Sequence, residues 1–331
     1  MKSKAIVLFL SLAMIGCTSS PKGDPKIPAP PPPAPPAPAY VPEALDPTLR
    51  TRAREELLSE THSPDPRLRS NAIEALSDVD PADAAAPILT GLSDPDAVVR
   101  FAAAMAAGKL KLVDAYKPLR KMAYDPDLRV QAGVRYGLHK LGDTRLTKEL
   151  EQFVQSSDPS LRGTTALVLG QLGEPSATQM LMILLADPAP SVRIQAAEAL
   201  WELGNEAGLE HLVAYSISMY PDEQIIALRA LAETGDQRVI QHVRAQLTGD
   251  YEEVRLAAAR AAGMLGSDEG WTVAVPARDS KSARLRCMSA LAMGSIGRPD
   301  LQKYLRPMLD DPDPNVRIAA ATAVLELKAR G

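Results

Sequence analysis

The feature that most constrains the fold of this chain is an internal repeat with a period of 31 residues. Segments 95–100, 188–193 and 312–317 align with one another, and the arginines that end them differ by multiples of 31. Extended over residues 69 to 317, the same spacing finds arginine at seven of nine positions, which are Arg69, Arg100, Arg162, Arg193, Arg255, Arg286 and Arg317, with Gln131 and Gln224 at the other two. A period of this length indicates a solenoid of stacked repeats.

Each repeat is predicted to contain two helices. In the fifth repeat, a helix over 176–186 is followed by the break Asp187-Pro188, and a second helix over 192–203 ends before Gly204. An Asp-Pro turn ends one helix and can cap the next, and glycine suits the left-handed position after a helix. Glycine recurs at this place in six consecutive repeats: Gly142, Gly173, Gly204, Gly235, Gly266 and Gly297. The second helix is apolar around most of its circumference, so neighbouring repeats must cover it.

Several segments resemble a known repeat family. Residues 86–88 read Ala-Pro-Ile, segment 92–100 follows with its Asp-Pro turn and arginine, and segment 196–204 supplies the second half of the pattern. These segments resemble the short HEAT repeat, also called the PBS-lyase-like HEAT repeat, over residues 45–328. The resemblance implies an all-α fold, a right-handed α-solenoid of about nine 31-residue HEAT-like repeats. Such an arc would be about 80–90 Å long at about 10 Å per repeat.

The two ends of the predicted solenoid look capped, because their helices are polar. The first helix carries Arg50, Arg52, Arg54, Glu55 and Glu56, and the last carries Glu326, Lys328 and Arg330. We therefore assign the solenoid to residues 45–331 as one continuous unit.

The first 16 residues are predicted to be an export signal. Lys2 and Lys4 precede a short apolar run over 5–15, which is shorter than the roughly 20 residues that a membrane-spanning helix needs. Cys17 follows Met-Ile-Gly, and this arrangement resembles the lipobox of bacterial lipoproteins. The resemblance implies that Cys17 is acylated, for example by palmitate, and becomes the N-terminus of a lipid-anchored protein. Thr18, in place of the aspartate that retains lipoproteins in the inner membrane, favours the outer membrane.

Residues 17–44 are predicted to be a disordered, proline-rich linker. Eleven prolines lie between residues 21 and 42. Because proline fixes φ and removes a backbone donor, such a segment favours extended polyproline II. At about 3.1 Å per residue, it could hold the folded part roughly 75–80 Å from a membrane.

The composition argues against several functions. The formal net charge is −4 and only 4% of the residues are aromatic, which disfavours nucleic-acid binding. No phosphate-binding loop, dinucleotide fingerprint, nucleophile elbow or zinc-protease motif is present, so we predict no catalysis and no cofactor.

The recurrent arginines have two possible roles. They could form an anion-binding ladder, but aspartates recur in the turns beside them, so we favour a structural Arg–Asp ladder between adjacent repeats.

Other reactive residues are predicted to be inert. His211 and His242 lie one period apart without a third ligand, so we predict no metal site there. Cys287 is predicted to be a small buried residue.

The inner-helix face is the predicted binding surface. Helical phase predicts that Met105, Tyr136 and Leu167 are three successive exposed apolar residues, edged by Lys109 and Lys140. A second candidate patch consists of Met264, Met288 and Leu291.

The combined features predict an outer-membrane lipoprotein in the periplasm that acts as a protein–protein interaction scaffold and binds another envelope protein. Binding of peptidoglycan or polysaccharide, a purely structural spacer, and a lyase-like HEAT protein remain as alternatives.

Overall fold

A computed structural model describes residues 44–327, and over this range the chain consists of helices joined by short turns. The predicted all-α solenoid of nine repeats is confirmed. Residues 1–43, with the predicted signal and Cys17, and residues 328–331, with Lys328 and Arg330, lie outside the described residues. Between residues 44 and 327, no helix combines the length and the apolar character needed to cross a bilayer.

The second helices of the nine repeats form an inner layer. They are α2 (Pro66–Val79), α4 (Ala97–Lys109), α6 (Leu128–Lys140), α7 (Pro159–Leu172), α9 (Pro190–Glu202), α11 (Pro221–Glu233), α13 (Glu252–Met264), α15 (Ala283–Ile296) and α17 (Pro314–Glu326). Each of them packs against the next, and small buried residues, mostly alanine, allow this close approach.

The first helices form an outer layer and, apart from the one in the first repeat, are shorter. They are α1 (Pro47–Glu60), α3 (Pro81–Gly91), α5 (Tyr116–Lys121), α8 (Thr178–Leu184), α10 (Glu206–Ser216), α12 (Ile240–Ala245), α14 (Trp271–Ala277) and α16 (Gln302–Leu305). In the fourth repeat, the 3-10 segment Thr147–Gln155 takes the place of the outer helix. Other 3-10 turns lie at Val113–Ala115, Pro175–Ala177, Gln237–Val239, Gln246–Thr248, Pro299–Leu301 and Pro307–Asp310.

Local sequence sets both ends of the inner helices. In five repeats, an aspartate side chain caps the helix by accepting from the backbone N–H two residues later: Asp65, Asp96, Asp127, Asp158 and Asp313. The six recurrent glycines all adopt positive φ, as predicted for the residue after a helix. In the second repeat, Lys111 occupies the equivalent position with φ of 50°.

The arginine or glutamine that recurs every 31 residues, which we call the ladder position, makes the same hydrogen bond in all nine repeats. The arginine Nη1, or the glutamine Nε2, donates to the backbone carbonyl six residues earlier. Gln131 reaches the carbonyl of Asp125 at 2.8 Å, and Gln224 reaches that of Ser218 at 2.7 Å. Glutamine therefore replaces arginine without losing the contact that closes the turn.

Four of the arginines also bind a carboxylate in the following repeat. The pairs are Arg69–Asp94, Arg100–Asp125, Arg162–Asp187 and Arg286–Asp311, and in each both nitrogens of the guanidinium fork donate at 2.6–2.9 Å. The partner always lies 25 residues later. The neighbouring guanidinium lowers the pKa of Asp187 and of Asp311. Arg193 instead donates to the Tyr215 hydroxyl at 2.6 Å.

The two ends of the solenoid pack against each other. Helix α17 contacts both α1 and α2, in the same way that each other inner helix contacts the next repeat. Apolar residues of α1, namely Leu49, Ala53 and Leu57, are fully buried in the cluster that also contains the α17 side chains. The nine repeats therefore form a closed ring.

The polar residues at the chain ends hold this closure together. Arg50 donates to the carbonyls of Val324 and Leu327 at 3.2 Å each, and Arg317 donates to Glu56 at 2.6 Å and to Glu60 at 2.7 Å. The prediction that the polar residues cap two separate ends is wrong for Arg50 and Glu56. These two residues lie in the seam, because the first repeat serves as the neighbour that the ninth repeat would otherwise lack.

Inward side chains fill the centre of the ring. Met105 and Tyr136 are buried there. Charged groups of repeats that are not neighbours also act on one another: Glu233 of the sixth repeat acts on Lys109 of the second. The inner helices therefore meet across the axis of the ring.

The closure predicts energetic coupling between the first and last repeats. In a double-mutant cycle of Arg317→Ala and Glu60→Ala, we expect a coupling energy of about 0.5–2 kcal/mol in the free energy of unfolding, measured in urea. The control cycle pairs Arg317→Ala with Glu206→Ala on a distant outer helix and should be additive. Additivity in both cycles would contradict the closed ring.

The ladder predicts that glutamine is tolerated at one arginine and not at another. Arg255 donates only to the carbonyls of Gly249 and Asp250, so Arg255→Gln should change the free energy of unfolding by less than about 0.5 kcal/mol. Arg162→Gln keeps the carbonyl bond but deprives the buried Asp187 of its partner, and should cost about 2–4 kcal/mol. Equal effects in urea unfolding would show that the inter-repeat pair is unimportant.

Candidate functional site

The residues predicted to bind a partner lie in the centre of the ring. Met105, Tyr136 and Leu167 are 0%, 2% and 7% exposed. The prediction that they form an exposed apolar patch is wrong, because ring closure brings other inner helices over them. Met105 and Tyr136 pack in the core, and Leu167 is buried in the wall of a cavity on one face of the ring.

The two lysines that were predicted to edge this patch also point inward. Lys109 forms an ion pair with Asp78, and burial lowers its pKa to about 8. Lys140 donates to the carbonyl of Leu172 at 3.3 Å and lies 5.5 Å from the centre of the Tyr136 ring. Burial raises the pKa of Tyr136 to about 12.

The opposite side of the ring centre holds a buried ion cluster. Arg229 donates to Glu198 at 3.0 Å and to Glu233 at 2.7 Å, and Gln195 donates to Glu198 at 3.0 Å. Burial raises the pKa of Glu233 well above its usual range, and Arg229 offsets only part of that effect. Burial also opposes the charge of Glu198, but there Arg229 prevails and lowers the pKa. This cluster stabilises the interior and is closed to a partner.

The second predicted patch, the two histidines and Cys287 are the remaining residues that the sequence singles out. Met264 and Met288 are half-buried and Leu291 is buried, so the second patch is largely covered as well. His211 and His242 lie exposed on outer helices α10 and α12, and no group of three or more His, Cys, Asp or Glu among residues 44–327 is arranged to hold a metal. Burial raises the pKa of the Cys287 thiol to about 12, so it is a poor nucleophile.

The accessible apolar surface lies on one face of the ring. We call the face on which the inner helices begin the N-terminal face. Of nine large hydrophobic residues that are exposed in the described structure, six lie in or beside the turns on this face: Tyr124, Leu128, Ile217, Met219, Tyr220 and Tyr251. Such clustering is typical of contact surfaces, whereas single exposed apolar residues are ordinary.

Four of these residues occupy the turns before two adjacent helices, α11 and α13. Ile217, Met219, Tyr220 and Tyr251 form what we call the turn patch. Met219 is 80% exposed, Tyr220 59% and Tyr251 51%. Methionine and tyrosine at such exposure suit adaptable protein contacts.

Two tyrosines of the turn patch occupy positions that hold a helix-capping aspartate in five other repeats. Tyr220 and Tyr251 stand at the N-cap position where five other repeats have aspartate, and neither side chain caps its helix. Their backbones have nearly the same extended conformation as Asp96, with φ near −100°. Loss of an N-cap costs about 0.5–2 kcal/mol, so stability alone does not explain tyrosine at these places.

Acidic residues surround the turn patch. Asp222, Asp250 and Glu252 are exposed next to it, and Asp222 lies 3.7 Å from Arg284 across the start of α13. The local charge is therefore negative, with one basic residue at its edge.

The sequence contains a signal for this patch. Four residues before the ladder position, the chain has aspartate in five of the nine repeats, tyrosine in two consecutive ones, and Ala189 and Ser282 in the remaining two. Sequence reasoning from the helical phase of the inner face does not find it, because that reasoning concerns helix faces and the patch lies in turns.

Comparison with known proteins supports the repeat assignment. The family model described as HEAT repeats matches residues 54–139, 146–217 and 273–330. No curated protein matches the sequence.

Solved structures resemble the chain at low identity. The complex of CpcE and CpcF of phycocyanin lyase from Nostoc sp. has 20% identity and a TM-score of 0.45, covering 73% of this chain and 97% of that one. Human deoxyhypusine hydroxylase has 18% identity and a TM-score of 0.37, covering 85% and 97%. A mutant of Kap121p has 15% identity and a TM-score of 0.37, covering 84% and 37%. Since the TM-scores are below 0.5, these structures bear on neither the activity nor the partners of this chain. The family model covers most of the chain, and the chain therefore belongs to the HEAT-repeat family.

Proposed function

We propose that this chain is a lipid-tethered scaffold of the bacterial cell envelope that holds a partner protein against the N-terminal face of its ring. The turn patch carries the proposal, because two consecutive repeats there expose tyrosine at the position where an aspartate caps the helix in five of the other seven repeats. Because the inner-helix side chains that the sequence predicts as the binding surface are buried, we place the binding surface in the turns. The proposal assigns the chain no enzymatic activity and no cofactor.

The chemistry of the patch defines the partner. An apolar centre formed by Met219, Tyr220 and Tyr251 favours an apolar or aromatic anchor. The exposed acids Asp222 and Glu252 favour lysine or arginine around that anchor. We therefore propose a partner that presents a basic segment with an apolar residue at its centre.

The proposed location depends on the N-terminal segment. Cys17 follows a lipobox-like sequence, and the proline-rich linker that comes after it favours an extended chain. Several acyl chains anchor a protein firmly where one binds only marginally. Such a tether would hold the ring in the periplasm away from its membrane, and we propose the outer membrane.

Polysaccharide or peptidoglycan binding is a second candidate. The side chains of Tyr124, Tyr220 and Tyr251 are exposed on one face of the ring, and exposed aromatic rings could serve as platforms for sugars. The acidic surroundings of Tyr220 and Tyr251 favour a basic protein segment over an anionic polymer. A spacer without any specific ligand is the third reading.

The anchor can be tested through the two cysteines of the chain. Cys17→Ala should shift the protein from the membrane fraction to the soluble fraction or leave its signal uncleaved, and the N-terminal peptide of the wild type should carry the mass of acyl chains. Cys287→Ala, the matched control, should remain in the membrane fraction. An unmodified Cys17 in the wild-type peptide would refute the lipoprotein assignment.

The turn patch can be tested with variants that gain stability. We expect Tyr220→Asp and Tyr251→Asp to restore N-caps and to raise the free energy of unfolding by about 0.5–2 kcal/mol each. In crosslinking pull-downs from cells, the double variant should lose a stoichiometric partner that the wild type captures. Because the variant is more stable than the wild type, the loss cannot be attributed to unfolding.

A control with equal apolar exposure makes the result specific. Met182→Ser with Ile183→Ser removes exposed apolar residues from outer helix α8 and should retain the partner. Retention of the partner by the tyrosine variant would refute the assignment of this surface. Absence of any stoichiometric protein, together with sedimentation of the wild type with purified peptidoglycan, would favour the second candidate.

A further inference from the structure

A cavity of about 300 Å³ opens on the N-terminal face of the ring, apart from the turn patch. Six neighbouring inner helices, α2, α4, α6, α7, α9 and α11, contribute to its wall. The walls are mostly apolar, with Val98, Phe101 and Leu167 among them, and hydroxyl groups of Ser160 and Thr164 add polar contacts. Its volume is that of a site for a small ligand or for one long side chain.

A glutamate with an oxygen that makes no hydrogen bond lines this cavity. Glu74 lines it and is 6% exposed, and its buried Oε2 makes no hydrogen bond. One helical turn earlier, Asn71 is also 6% exposed, and its Oδ1 has no hydrogen-bond donor. Residues three apart lie on the same side of a helix, so two acceptor oxygens without donors share one side of α2.

Groups inside the ring do not satisfy Glu74. Lys109 is the basic residue that acts on it, but the Lys109 ammonium forms its ion pair with Asp78. Burial consequently raises the pKa of Glu74 well above its usual range, and Lys109 offsets this only in part. A buried acceptor without a donor is destabilising, so a ligand that supplies a donor is favoured on binding.

The unsatisfied Glu74 carboxyl favours a cation. An ammonium group carries three N–H donors and no acceptor, and its positive charge favours the ionised form of the carboxyl, which accepts with both oxygens. At the mouth, Arg129 is neutralised by Asp127, whose carboxylate it contacts at 2.6 Å. The positive ends of the inner helices also lie at the mouth, but their effect falls off within the first turn, and Glu74 lies more than two turns into α2.

We propose that this cavity binds a primary alkylammonium group, with an N–H donor toward Glu74 and its methylene stem against Phe101 and Leu167. The group could belong to a free amine or to a lysine side chain of a protein. The site is separate from the turn patch, so this proposal and the proposed function can fail independently.

Isothermal titration calorimetry of the purified full chain tests the site with defined probes. We expect 1,5-diaminopentane and Nα-acetyl-lysine amide to bind the wild type, and 1-pentanol, which has a similar stem without the charge, to bind at least tenfold more weakly. Glu74→Gln keeps the shape of the side chain and should weaken the binding of both amines at least tenfold.

Two further variants separate the site from a general loss of structure or charge. A Cβ at Gly163, which lines the cavity, would meet only Val192 at 3.8 Å, so Gly163→Leu should fill the space while leaving Glu74 in place, and should abolish binding. Glu252→Gln removes one acid from the same face outside the cavity and should bind like the wild type.

The outcomes distinguish the source of the amine and the validity of the site. Tight binding of the diamine alone would indicate a free amine, and equal binding of the lysine amide would indicate a protein side chain. Absence of binding by both amines at millimolar concentration, or equal binding by the wild type and Glu74→Gln, would overturn the proposal.

Discussion

Helix α1 packs between α17 and α2, and the remaining features of the ring depend on this contact between the two ends of the chain. The buried face of α1 takes the position that the outer helix of a tenth repeat would occupy. Arg317 finds its carboxylates on α1, whereas the equivalent arginines of four other repeats find an aspartate 25 residues later. Closure therefore satisfies the ninth repeat with the chain's own first helix, and the fold needs no capping repeat at either end.

Closure also changes the chemistry of the inner helices. In an open arc, the inward positions would face water, but in a ring of nine helices they face one another. Met105 and Tyr136 become core residues, and Arg229 lies between two glutamates in a cluster where burial and the neighbouring charges together shift the pKa of all three groups. Buried charges need compensation from nearby groups, which the inner helices supply to one another. Glu74 is one group whose compensation is incomplete, and it borders a cavity.

The two faces of the ring keep the repeat pattern to a similar extent but depart from it in different ways. On the face where the inner helices end, six of nine repeats have glycine with positive φ. On the N-terminal face, five of nine repeats have a capping aspartate, two have Ala189 or Ser282, and two have the exposed Tyr220 and Tyr251. Departure from a stabilising pattern at solvent-exposed positions is expected where a surface has another role. The two exposed tyrosines are the basis for placing partner binding on the N-terminal face.

The sequence by itself determined the repeat, the two helices in each unit, the glycine ends and the arginine ladder, because these depend on residues within one period or its neighbour. The pattern at the N-cap position was also readable from it. Only the tertiary structure decided that the nine repeats close, since closure depends on the small rotation between repeats summed over the whole chain. Because the ring closes, Tyr136 is buried, Arg50 and Arg317 bind across the contact between the two ends, and the Oε2 atom of Glu74 has no hydrogen-bond donor. Local patterns fix what each helix must bury, whereas the accumulated geometry of packing fixes which groups meet.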